Sequence, residues 1–184
     1  MVKKEYPRIG ESLYHGELVN GLHVYVDVKP EFSKSYAFFA TNYGGMDMRF
    51  QLNGEWHDTP AGVAHFLEHM AFQGSEHFPG REMIKTLERH GVLYGHDINA
   101  VTSDNHTVYL FNNVPTGDER FLDTCVMLLR DWSYYLTIDE DRIDREKKVI
   151  EEEWNMLNTP AKRVQDQFAR VLLQGSPYAD RDAL

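Results

Sequence analysis

In the stretch Ala64-His65-Phe66-Leu67-Glu68-His69-Met70-Ala71-Phe72, two histidines and a glutamate carry the clearest chemical potential of the chain. On a helix, His65 and His69 project from one face, close enough to share an ion. Glu68, adjacent to His69, lies beside that pair. Two neutral imidazoles and a carboxylate make a zinc site with an open fourth position for water. A carboxylate next to that water can accept its proton. His65 and His69 are therefore candidate ligands and Glu68 the candidate general base. Nine histidines in 184 residues will sometimes fall four apart by chance. This pair, however, is embedded among Val63, Ala64, Phe66, Leu67, Met70 and Phe72, and buried imidazoles need partners. Beside a carboxylate, with no basic residue near, metal is the economical partner.

A third ligand must come from elsewhere, and the run Asp144–Trp154 is the best source. Placed on a helix, Ile143, Ile150, Trp154 and Leu157 cluster within roughly 60° and define the buried face. Glu153 and Glu146 share one side of it, at about 50–70° from its centre. Glu152 points nearly opposite, into water, and Glu151 sits on the other edge. Carboxylates beside an apolar stripe are costly unless a cation or hydrogen bonds compensate. Glu153 is the favourite as ligand, with Glu146 behind it near the site. The plain alternative, that all of these acids are solvated charges on an exposed helix, stays open from spacing alone.

These residues need elements to hold them. Asn20-Gly21, between Glu17–Val19 and Leu22–Val28, signals a tight hairpin. Ser35–Thr41 reads as a buried strand ended by Gly44-Gly45. Thr59-Pro60 should open the histidine-bearing helix, which runs to Phe72. A second helix fits Gly80–His90, closed by Gly91. Tyr94–Val101 and Thr107–Phe111 read as strands joined by a polar turn. Thr116 with Glu119, and Thr137 with Glu140, form capping boxes for two helices ending near Tyr135 and Asn158. Pro160 is expected to break the second, and Val164–Leu173 to form one more amphipathic segment. The pattern predicts an α+β fold, one sheet with helices packed on it.

Composition narrows the function classes. The hydrophobic fraction of 42% fits a folded chain. A net charge of −10 argues against nucleic acid as a partner. Cys125, the single cysteine, lies in an apolar stretch and reads as a buried structural thiol. With no apolar leader after Lys3-Lys4 and no run long enough to span a membrane, a cytoplasmic setting without membrane partners is expected.

The segment Gly62-Val63-Ala64-His65-Phe66-Leu67-Glu68-His69-Met70-Ala71-Phe72-Gln73-Gly74 resembles, almost letter for letter, the signature of the pitrilysin or insulinase-type metallopeptidases. Its His-x-x-Glu-His core is the inverted zinc-peptidase motif. Asn99-Ala100-Val101-Thr102-Ser103 and Thr107-Val108-Tyr109 resemble the family's Asn-Ala-x-Thr strand pair. Val149-Ile150-Glu151-Glu152-Glu153-Trp154 is similar to its glutamate-bearing helix, though Glu151 stands where the family mostly has an apolar residue. The separation between His69 and Glu153 also exceeds the family's usual gap, which places an insertion between Phe72 and Glu146.

The resemblance implies an α+β domain with one mixed, largely antiparallel sheet covered by helices. It implies one zinc per chain, held by His65, His69 and Glu153, with Glu68 as base and Glu146 as a further catalytic-site acid. A peptide substrate would add as a strand at the sheet edge near Asn99, Ala100 and Thr102. The activity implied is zinc-dependent endopeptidase; the alternative is a peptide-binding or scaffolding subunit of the same fold without turnover. Residues 1–184 would then be one zinc-binding peptidase domain, the first of a longer protein, with Gly175-Ser176-Pro177-Tyr178 leading onward. Its partners would be the remaining domains or a partner subunit. Alone, it is expected to be a weak peptidase that can self-associate into a homo-oligomer.

Overall fold

A computed structural model describes residues 1–176 together with Tyr178 and Ala179, so the Gly175-Ser176-Pro177-Tyr178 run falls partly outside the described residues. The chain forms two compact units, the first Met1–Ser33 and the second from Lys34 onward. In the first, β1 (Val2–Tyr6), β2 (Glu11–Glu17) and β3 (His23–Asp27) form an antiparallel sheet in that order. The β2–β3 turn is where Asn20-Gly21 predicts it. Gly21 is left-handed at φ +84, Asn20 Oδ1 accepts from the Leu22 N–H at 3.2 Å, and the Leu18 N–H donates to Leu22 O at 2.9 Å.

The second unit runs β4 (Lys34–Thr41), β5 (Arg49–Leu52), β6 (Glu55–Asp58), α1 (Val63–Ala71), α2 (Glu82–Arg89), β7 (Ile98–Thr102), β8 (Thr107–Pro115), α3 (Glu119–Tyr134), α4 (Glu140–Leu157) and α5 (Pro160–Leu172). Its main sheet is antiparallel with order β4-β8-β7, and α1 and α3 pack on it. The fold is α+β, as the element pattern predicts. β5 and β6 form a separate hairpin whose turn residues, Asn53 (φ +53) and Gly54 (φ +86), are both left-handed. This is the same Asn-Gly signal as in the first unit, and the sequence reading passes over it because the flanking residues are mostly exposed and polar.

Several boundaries fall elsewhere than expected. β4 is not buried throughout: Ala37 and Phe39 pack towards the core while Tyr36 and Phe38 are exposed, the alternation of a strand with one covered face. β7 starts at Ile98, because Leu93–Asp97 is a tight turn closed by the Leu93 N–H on the Asp97 carboxylate at 3.0 Å. The α3 and α4 caps are Asp118 and Asp139, which accept from the backbone N–H groups of Arg120 and Phe121 and of Arg142. A carboxylate immediately before the first turn takes the capping place from the threonines two residues upstream. α4 ends at Leu157 with Asn158 as its cap, as expected ahead of Pro160, but the next helix starts at Pro160 itself and not at Val164: Thr159 Oγ1 accepts from the Lys162 N–H at 3.2 Å, and proline suits the first helical position.

The core lies between the sheet and the helices. Phe111 on β8 stacks on Trp132 of α3, with ring centroids 4.9 Å apart. Trp132 Nε1 also donates to Ala71 O at 3.1 Å, which fixes the end of α1. Cys125 is buried in the same cluster, as expected, and burial pushes its thiol up to about 12. Among the described residues, no helix is long and apolar enough to cross a membrane.

Candidate metal centre

Helix α1 carries the paired imidazoles because both its ends are set by backbone that only glycine adopts comfortably. Gly62 precedes it at φ +81, which replaces the threonine cap expected at Thr59; the Thr59 hydroxyl instead donates to Met48 O at 3.3 Å. Gly74 follows the helix at φ +127, and a Cβ there would meet Gly80 N at 2.5 Å. Between them Ala64, Met70 and Ala71 are buried, so the face bearing His65 and His69 turns towards α4.

The two Nε2 atoms lie 3.2 Å apart. Glu153 of α4 brings Oε2 to 3.3 Å from His69 Nε2 and 3.7 Å from His65 Nε2. Each of the three residues thus offers a ligand atom within 4.8 Å of the others. His69 Nδ1 is 2.7 Å from Glu146 Oε1, so that nitrogen holds the proton and Nε2 presents a lone pair. His65 Nδ1 is buried without a hydrogen-bond partner, so Nε2 is the only nitrogen of that ring with a polar counterpart among the described residues. Burial, reinforced by the neighbouring His69, lowers the pKa of His65 against the opposing pull of Glu153 and Glu68. The neutral ring is the form that binds metal. Two imidazole nitrogens and a carboxylate oxygen crowd one point with too few protons to join them. A soft-to-borderline divalent cation such as zinc fits that donor set.

Glu146 stands behind the centre. It is 4% exposed, and both its oxygens are engaged: Oε1 by His69 Nδ1 and Oε2 by Gln73 Nε2 at 2.6 Å. It therefore orients the imidazole without facing the shared point. Gln73 is a member of this network that sequence reasoning missed. The available signal was its place four residues after His69, a polar side chain on the same helical face.

The expected buried face of α4 is rotated. Its most inward residues include Ile143, Glu146, Ile150 and Glu153, while Trp154 and Leu157 are 47% and 43% exposed. Ile143, Ile150 and Trp154 line an open groove of about 490 Å³ against Val63 and Phe66. The carboxylates take the packed side because α1 offers polar imidazoles there. Glu151 and Glu152 are exposed.

Glu68, half-buried, accepts the Thr102 hydroxyl on Oε2 at 2.6 Å. Thr102 ends β7, an edge strand of its sheet among the described residues. On the same strand Asn99 is exposed and its Oδ1 accepts from the Ala100 N–H at 2.9 Å, while the Ala100 side chain is buried. Of the three residues expected to meet substrate, the structure brings Thr102 to the base and leaves Asn99 and Ala100 along the edge.

Residues 53–181 match the family Insulinase (Peptidase family M16). The chain is 30% identical over 175 residues to the "Probable zinc protease PqqL" of Haemophilus influenzae, covering 94% of this chain and 18% of that protein. It is 38% identical over 154 residues to the uncharacterized zinc protease YmfH of Bacillus subtilis, covering 83% and 33%. The crystal structure of the periplasmic protease PqqL from Escherichia coli superposes with a TM-score of 0.78 at 30% identity, over 93% of this chain and 18% of that one. The chain belongs to the insulinase family of peptidases, M16, and the two relatives named above are zinc proteases. It spans 18% and 33% of the lengths of the two curated relatives. The cytoplasmic setting expected from the missing leader is overturned by this kinship, since PqqL is a periplasmic protease.

Proposed function

We propose that this chain is a zinc-binding catalytic domain of an endopeptidase that hydrolyses peptides or unfolded segments. The observation that carries the reading is the convergence of His65 Nε2 and His69 Nε2, on the helix that also bears Glu68, with Glu153 Oε2 of α4 within 4.8 Å. His65, His69 and Glu153 would hold one zinc, which when bound supplies Lewis acidity and lowers the pKa of water to about 7. Glu68 takes a proton from water at Oε1, the oxygen that Thr102 leaves free, and returns it to the leaving amine. Glu146 keeps His69 in the tautomer whose Nε2 lone pair faces the ligand point. Asn99 and Ala100, on the open edge of β7, would align an extended peptide as an added strand.

Residues 1–184 would act as one peptidase domain of a longer protein. Two observations support this: the matched relatives are several times longer, and α5 shows an uncovered apolar stripe, Val164, Phe168 and Val171, at 68%, 66% and 72% exposure. Groups that stabilise the oxyanion would come from those further parts, so the isolated chain should be slower by at least about 100-fold.

The test is zinc stoichiometry together with peptide cleavage by the full-length protein and its Glu68→Gln variant. One zinc per chain is expected in both. Turnover should fall by about 10³-fold or more in the variant, because the amide keeps the shape but cannot accept the proton. Zinc absent from the wild-type protein, or cleavage equal in both, would overturn the reading.

A further inference from the structure

Resting on that reading, we infer that Thr102 is a positioning residue for Glu68 and not a substrate contact: it clamps one oxygen of the base and leaves the other for the proton. The contact is 2.6 Å from Thr102 Oγ1 to Glu68 Oε2, within the range of a hydroxyl donating to an ionised carboxylate. A hydroxyl has one proton to give, and the neighbouring groups settle where it goes. Thr107 Oγ1, 3.4 Å from Thr102 Oγ1, donates its own proton to Tyr43 O at 2.8 Å. The Thr102 proton is therefore free to be given wholly to Glu68.

The mount of this donor is stiff. Thr102 pairs with Thr107 at the end of the β7–β8 ladder, and the turn that follows is pinned from outside. The Gly45 N–H donates to Ser103 O at 2.9 Å and the Met46 N–H to Asp104 O at 2.8 Å. The approach is so close that a Cβ on Gly44 would lie 2.4 Å from Ser103 O. A β-branched side chain has few rotamers of its own. Glu68, by contrast, has three rotatable bonds on a half-buried helix face, and no other side-chain hydrogen bond to its carboxylate is seen among the described residues. The hydroxyl thus converts a flexible carboxylate into a fixed one, with Oε2 engaged and Oε1 unengaged. It also places the base on the strand edge that would take the substrate, so both reacting partners are referred to one element.

The experiment compares Thr102→Val, nearly isosteric but without the donor, and Thr102→Ser, which keeps it, with wild type in the full-length protein. Thr102→Ala stands in should valine not fold. We expect kcat to fall about tenfold or more in Thr102→Val, with KM, zinc affinity by chelator competition and Tm near wild type. Thr102→Ser should recover most of kcat. A crystal structure of Thr102→Val should show the Glu68 carboxylate displaced from its wild-type position. A kcat within twofold of wild type, a rise in KM alone, or a serine variant as slow as valine would overturn the inference. Turnover persisting in Glu68→Gln in the same assay would instead remove the reading on which it rests.

Discussion

Two carboxylate–imidazole clusters sit on the same scaffold and have opposite characters. Asp131 of α3 is fully buried and accepts from Ser75 Oγ at 2.6 Å, from the His77 N–H at 3.1 Å and from His77 Nδ1 at 2.9 Å. Every oxygen there has its donor, and the His77 ring turns its other side to solvent. Glu146 is closed in the same manner by His69 and Gln73. The difference is what the imidazole does next: His69 Nε2 meets His65 Nε2 and Glu153 Oε2. A histidine beside a buried acid is thus not in itself a reactive site. An excess of acceptors over protons at one point distinguishes the centre on α1 from the clamp on α3.

The broadest test crosses the two clusters. His69→Ala should lower zinc affinity by well over 100-fold, beyond the range seen when only a supporting group is lost, with a smaller Tm loss in the metal-free protein than Asp131→Ala, since Glu146 loses one donor and keeps Gln73. Asp131→Ala should do the reverse. Zinc affinity of the folded protein should stay within a few-fold of wild type. Stability should fall by about 3 kcal/mol, because buried donors lose a charged acceptor, which is a Tm drop of roughly 6–12 °C for a domain of this size. Both assays, chelator competition and thermal unfolding, apply to both variants. If Asp131→Ala lost zinc as severely as His69→Ala, the two clusters would be one coupled site and the contrast would fail.

The contrast also shows what could be read from the sequence. His65 and His69 were legible because a four-residue spacing survives any context in which the segment is helical. Glu153 was legible as a carboxylate near an apolar stripe, although the stripe itself turned out to face a groove and not the core. The partners of these residues were not legible. Thr102 lies 34 positions from Glu68, and Gln73 lies 73 from Glu146, and no local period encodes a contact across that distance. Caps failed for a different reason: Asp118 and Asp139 compete with Thr116 and Thr137 for the same backbone donors, and that competition is settled by fractions of a kcal/mol. The fold class survived such errors because it depends on which segments are strands and helices, and not on where each one starts.

An intermediate effect is expected at Glu146→Gln. The amide preserves the side-chain shape at a 4% exposed position but removes the negative charge that holds the His69 Nδ1 proton. Zinc affinity should fall by about 10–100-fold, and Tm should change less than in Asp131→Ala. An unchanged affinity would mean that Glu146 merely fills space beside His69, as a clamp of the Asp131 kind.

The smallest effect should come from Gln73→Leu, and it separates orientation of the ligand from orientation of its support. Among the described residues Gln73 is hydrogen-bonded to neither imidazole; its Nε2 donates to the far oxygen of Glu146 at 2.6 Å. Leucine is close in volume and a good helix former, so α1 should persist. The change leaves Glu146 Oε2 without its donor, and an unsatisfied acceptor at a buried carboxylate costs about 1–3 kcal/mol unless water replaces the amide. That cost has two outlets. If Glu146 keeps its position, the strain appears in stability, and zinc affinity barely moves. If the carboxylate rotates to find another donor, His69 loses its anchor, and affinity falls by a few-fold, less than in Glu146→Gln because the charge remains. The 2.7 Å contact between Glu146 and His69 is a charge-assisted bond and stronger than a neutral one, so the carboxylate should stay with the imidazole. The expected result is therefore a Tm lower by roughly 2–12 °C with zinc affinity within about threefold of wild type. An affinity loss matching that of Glu146→Gln would show that Gln73, and not the His69 contact, fixes the carboxylate.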